Sequence, residues 1–166
     1  MKTIVRPNLN PLALPKLALA GRAVLTFRNL QAGTHMTLKI KRARDKQDPA
    51  RKSPVFWVSA SLLGDGAQSY EFVGTLFADT MRVKLGRGVS NESRLGRVMA
   101  FLVSSLRNPA SLNGRVGLFH EGRCMSCGRE LTHPESITTG IGPECIKRMK
   151  REDGDFDIAA LFSPIS

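Results

Sequence analysis

Three cysteines fall within one short stretch: Cys124-x2-Cys127, then seventeen residues, then Cys145. Two thiolates three positions apart can face one point across a tight turn, and Gly128 directly after the pair supplies the backbone freedom that turn needs. Three cysteines cannot all pair as disulfides within one chain, so the spacing suits a metal knuckle better than a disulfide framework. Cys145 follows Pro143, a residue suited to the first position of a helix, which places the thiol in a first helical turn where the dipole favours a thiolate. Structural zinc takes four ligands, and a helix-borne fourth at position 148 is excluded because that residue is Arg148. Two histidines remain. His120, four residues before Cys124, is the preferred candidate because it enters directly on the segment leading into the knuckle, whereas His133 precedes Pro134 in a loop. The expected cofactor is one structural Zn2+, held by His120, Cys124, Cys127 and Cys145.

The elements that must position this cluster lie upstream. From Ala23 to Leu85 apolar and polar residues alternate in five runs, AVLTF, MTLKIKR, VFWVSASLL, YEFVGTLF and MRVKL, each a strand by its period of two. In the second run Met36, Leu38 and Ile40 face a core while Thr37, Lys39 and Lys41 face outward. The glycines of Gly64-Asp65-Gly66 suit a tight hairpin, which makes strands three and four antiparallel. Beyond Gly88 the spacing becomes helical, with Leu95, Val98, Met99, Leu102 and Leu106 on one face, Ser90 or Asn91 as the N-cap and Asn108-Pro109 as the stop. The fold expected is α+β: an antiparallel β-meander with one packed amphipathic helix, plus a small C-terminal zinc-knuckle module. Its parts are an extended N-terminal arm (1–22), a sheet-and-helix domain (23–110), a zinc-binding module (111–151) and an acidic C-terminal tail (152–166).

Charge indicates a partner. The 166 residues carry 25 Lys and Arg against 14 Asp and Glu, a formal charge of +11, which favours polyanions, nucleic acid first. The excess concentrates between the second and third strands, where Lys41, Arg42, Arg44, Lys46, Arg51 and Lys52 stand against Asp45 and Asp48. Lys39 and Lys41 continue this cationic surface onto the sheet. Trp57, on the neighbouring strand and the face opposite Phe56 and Val58, can stack a base while these ammonium groups hold phosphates. The primary expectation is non-enzymatic nucleic-acid binding through Lys39, Lys41, Arg42, Arg44, Lys46, Arg51, Lys52 and Trp57. The alternative is an effector that grips an acidic protein.

Residues 120–145, HEGRCMSCGRELTHPESITTGIGPEC, resemble an uncharacterised zinc-knuckle domain family of phage and mobile-element proteins with the signature GRCxxCGRxLTxPxSIxxGxGPxC. The resemblance implies a phage-type zinc-binding protein, with Cys124, Cys127 and Cys145 as ligands, and carries no established activity. In that setting the alternative effector would bind a host or phage protein, and the location would be the host cytoplasm. No GxxxxGK[ST], GxSxG or HExxH motif occurs, and a deaminase's H-x-E with P-C-x-x-C is missing, so no enzyme is expected. The longest apolar runs fall far short of the ~20 residues of a spanning helix, and prolines 7, 11 and 15 interrupt any signal-peptide core, which points to a cytoplasmic protein without a membrane partner.

Overall fold

The computed structural model describes residues 9–48, 52–62, 70–120, 122–131 and 140–153. The alternating runs form strands β1 (Arg22–Asn29), β2 (His35–Arg42), β3 (Val55–Ser61), β4 (Glu71–Phe77) and β5 (Arg82–Leu85), and a sixth, β6 (Val116–His120), follows the long helix. They make one antiparallel sheet in the order β5-β4-β3-β2-β1-β6. Register sorts the side chains. Leu25, Leu38 and Ala60 lie in one row across the central strands and Ala23, Ile40 and Val58 in the next, and all six are at most 2% exposed. Their neighbours along each strand point to the opposite face.

Helix α2 (Arg94–Arg107) covers the apolar face with Val98, Met99, Leu102 and Leu106, and Phe101 meets Phe27 edge-on at 5.6 Å between ring centroids. It also solves a connectivity problem, because β5 and β6 lie at opposite edges of the sheet. A 14-residue helix is about 21 Å long. Five strand spacings span about 24 Å, so α2 carries the chain nearly from edge to edge while burying its apolar stripe.

Two parts of the chain depart from expectation. Residues 11–18 form a 3-10 turn (Pro11–Ala13) and a short helix α1 (Leu14–Ala18), whose Leu14 and Leu17 are fully buried together with Leu9. This part of the N-terminal segment is core, because its apolar residues close the open side of the helix layer, and the Leu9 N–H ties it to the Leu118 carbonyl at 2.7 Å. Residues 1–8, Gly64–Gln68 and the tail beyond Asp153 lie outside the described residues. The boundary expected at 111 also falls within a continuous architecture, since β6 pairs with β1 along Leu25–Asn29.

The helix start shifts from Ser90 or Asn91 to Ser93, whose Oγ accepts from the Gly96 N–H at 3.1 Å while its own hydroxyl donates to the Ser90 carbonyl at 2.7 Å. Residues 90–93 are turned back so tightly that a Cβ on Gly96 would overlap the Ser90 carbonyl oxygen. Alanine is favoured over glycine inside a helix by about 1 kcal/mol. The overlap reverses that preference, so Gly96→Ala is expected to destabilise the protein by about 1–3 kcal/mol in urea denaturation. Ser93→Ala is expected to cost about 1 kcal/mol through loss of the cap.

Candidate functional site

β6 delivers the chain into a small hairpin at residues 122–131. It is closed by the Arg123–Glu130 bridge and by bonds from Cys124 N–H to Arg129 O (2.8 Å) and Leu131 N–H to Gly122 O (2.9 Å). The knuckle turn ends at Gly128, which has φ +79° and donates to the Cys124 carbonyl at 2.8 Å, a conformation other residues reach only with strain. Helix α3 (Pro143–Asp153) starts at the proline and presents Cys145 in its first turn. The Gly142 N–H points at Cys124 Sγ from 3.2 Å, and Met125 N–H donates to Gly140 O at 3.0 Å, so the helix start docks on the knuckle.

As a result the sulfurs of Cys124, Cys127 and Cys145 all lie within 4.8 Å of one another and could hold a metal ion. Tetrahedral thiolates at ~2.3 Å from zinc are about 3.8 Å apart, so little movement would close them on an ion. Burial pushes the Cys124 thiol up, but N–H groups of Gly142, Cys127 and Ser126 directed at it outweigh burial and hold it below the ordinary value. Cys145 is pushed up to about 12 by burial and by the negative Cys124 sulfur beside it. Cys124 therefore loses its proton more readily than Cys145, and a divalent cation bound here would displace the proton that Cys145 keeps.

His120 does not join the cluster. Among the described residues the metal-competent group contains the three cysteines alone. His120 is fully buried, its Nδ1 accepts from the Gly122 N–H at 2.9 Å, and Leu25 is its register partner on β1. The strand pairing that makes it adjacent to the knuckle in sequence turns its ring to the core face, where it helps set the hairpin entry. His133 lies outside the described residues. Arg148, at the helix position three after Cys145, donates to Ser126 Oγ within the knuckle turn.

The knuckle leans on the sheet through β1. Arg22 N–H donates to the Met125 carbonyl at 2.7 Å, and a Cβ at Gly128 would lie 3.3 Å from Arg22 Cδ. Arg22 opens a row that runs across the sheet on the face away from α2: Arg22, Lys41, Trp57, Thr75 and Lys84 are successive register partners. The strand positions of this face hold six cations, Arg22, Arg28, Lys39, Lys41, Arg82 and Lys84, and none is Asp or Glu. Trp57 is 47% exposed and Phe72 49%. With Lys39, Lys41 and Ser59 they line a concavity of about 370 Å³. Lys39 holds its ammonium 3.9 Å above the Tyr70 ring, a cation–π contact.

The structure thus brings Lys39, Lys41 and Trp57 onto one exposed surface. Arg44, Lys46 and Lys52 are placed along the β2–β3 connection, with Arg44, Lys46 and Lys52 exposed. Arg42 is the exception. Its register partner is Phe56, its guanidinium sits 5.0 Å from that ring, and Nη2 donates to the Leu19 carbonyl at 3.0 Å. The period of two that exposes Lys41 turns Arg42 to the core side, where it straps the N-terminal helix to the sheet. Arg51 lies outside the described residues. Phe72, Lys84 and Arg22 were missed by sequence reasoning. A strict alternation back from buried Leu76 puts Phe72 in the core, but a bulge opposite Val58 and Ser59 inserts Val73 and turns Phe72 outward.

Residues 119–150 match a family described as a family of unknown function, DUF6011. The match spans the knuckle and most of α3 and brings no activity, metal or source with it. No curated protein and no solved structure matches the chain. Among the described residues no helix is long and apolar enough to cross a membrane.

Metal analysis of purified protein is expected to give about one ion per chain, lost on Cys124→Ser, Cys127→Ser or Cys145→Ser. His120→Ala is expected to keep the ion while lowering stability by about 1–3 kcal/mol in denaturant, because the Gly122 N–H loses its buried acceptor. Loading the metal-free protein is expected to release protons to an indicator dye, with fewer released by Cys145→Ser, and metal affinity is expected to fall as pH is lowered.

Proposed function

We propose that this protein binds nucleic acid without catalysing a reaction, using the open sheet face and the β2–β3 connection. The observation that carries the reading is the row in which half-exposed Trp57 stands between Lys41 and Lys84, on a face whose strand positions include six cations and no carboxylate. An acidic protein would be met by the cations alone. A polyanion that also carries flat aromatic groups uses both the cations and the indole.

In this reading the cysteine cluster holds one structural zinc ion, because a soft set of thiolates on a short hairpin suits zinc. The fourth position falls to a residue outside the described set or to water. The ion's task is to fix the hairpin that carries the Met125 carbonyl and Gly128 against Arg22, at one end of the cationic row. A reduced thiolate site suits a reducing compartment such as the cytoplasm.

The test is titration with single-stranded and duplex DNA by fluorescence anisotropy at low and moderate salt. The affinity is expected to fall steeply with salt, and Lys41→Ala and Lys84→Ala are each expected to lower the slope of log K against log salt by about 1. Weak binding that ignores salt, or unaltered slopes in both variants, overturns the reading.

A further inference from the structure

We infer that the nucleic acid taken by the open face is single-stranded, and that Phe72 is a second base-stacking position beside Trp57. This rests on the nucleic-acid reading above and narrows it.

The accessible part of the face is a band, not the whole sheet. Thr37 and Ser61, which share the face with the two aromatics, are buried, whereas Lys39, Lys41, Trp57, Phe72 and Lys84 are exposed. Within that band the two rings occupy diagonal positions on neighbouring strands: Trp57 pairs with Thr75, and Phe72 pairs with Ser59 two residues along β3. Diagonal positions are about 7–8 Å apart. That is roughly twice the ~3.4 Å rise of stacked bases, so a strand reaching both rings must open its own stack. A duplex keeps its bases paired and inside and could offer these rings only its sugar-phosphate edge.

Phe72 rests one edge of its ring against Gly86, and neither ring is stacked on another. No ring contact involves Trp57 or Phe72 among the described residues, and each leaves about half its surface to solvent. The bulge that exposes Phe72 forgoes burial of a phenyl ring in a core that already takes Val73 and Leu76 on the same strand. Phosphate contacts are in place around both rings. Lys41 is the register partner of Trp57, Lys39 is that of Ser59, and Lys84 and Arg22 lie at the two ends of the Trp57 row. Among the described residues no helix suited to entering a duplex groove lies on this side. The exposed arginines of α2, Arg94, Arg97 and Arg107, lie beyond the opposite face of the sheet.

Trp57 is the only tryptophan of the chain, so its emission reports stacking directly. The full-length protein is titrated with oligothymidylate and oligouridylate of about 12 nucleotides, within the ~4–16 nucleotides covered by known single-strand binders, and with a duplex of equal length. Either single strand is expected to quench Trp57 emission and the duplex to leave it unchanged. Phe72→Leu, which keeps an apolar side chain but removes the flat ring, is expected to weaken single-strand binding about 5- to 100-fold with duplex binding unaltered, and Phe72→Tyr to restore it. Equal affinity for both forms without quenching, or a Phe72→Leu protein that binds single strands as the parent does, overturns this inference and leaves the broader nucleic-acid reading standing. Absence of binding to every probe removes both.

Discussion

The pairing register of β1, β2 and β3 is the constraint on which the rest depends. Because side chains alternate with a period of two, fixing Leu25 opposite Leu38 and Leu38 opposite Ala60 decides the face of every other residue on these strands. A slip of one residue would bury Lys39, Lys41 and Trp57 and expose Leu38, Ile40 and Val58, at a cost far beyond the stability of a small domain. The core therefore enforces the chemistry of the opposite face. With α2 occupying one side of the sheet, the cations and aromatics are gathered on the other by default.

The knuckle is held by the same framework. A hairpin and a single helix enclose too little apolar surface to stand alone, and this one contributes Met125, Ile141, Leu131 and Met149 to the common core rather than building its own. Its second anchor is the backbone bond from Arg22 to the Met125 carbonyl, at the first residue of β1. Arg22 also begins the row that passes through Trp57, so the knuckle meets the cationic face at this residue through a 2.7 Å backbone hydrogen bond.

Buried polar groups follow the same economy. His120 lies in the core with its Nδ1 satisfied by the Gly122 N–H, and Arg42 spends its guanidinium on the Leu19 carbonyl and the Phe56 ring. Both residues read in the sequence as parts of a site, one by its nearness to cysteines and one by its place in a basic run. Both strand positions point inward, where these side chains make structural contacts.

Sequence by itself determined the strand periodicity, the amphipathic stripe of α2, the metal-competent spacing of the cysteines and the helix start at Pro143, because each depends on residues a few positions apart. The outward set of Lys39, Lys41 and Trp57 belongs with these, since alternation is a local property. Tertiary structure alone decided which neighbours share a surface. The bulge at Val73 exposes Phe72, Lys84 reaches the Trp57 row only through pairing of β4 with β5, and Arg22 meets the knuckle only because β1 lies beside β6. The sixth strand and the burial of Leu9, Leu14 and Leu17 are of the same kind. These features come from contacts between segments distant in the chain, whose free energy is set by packing and pairing that no local pattern encodes.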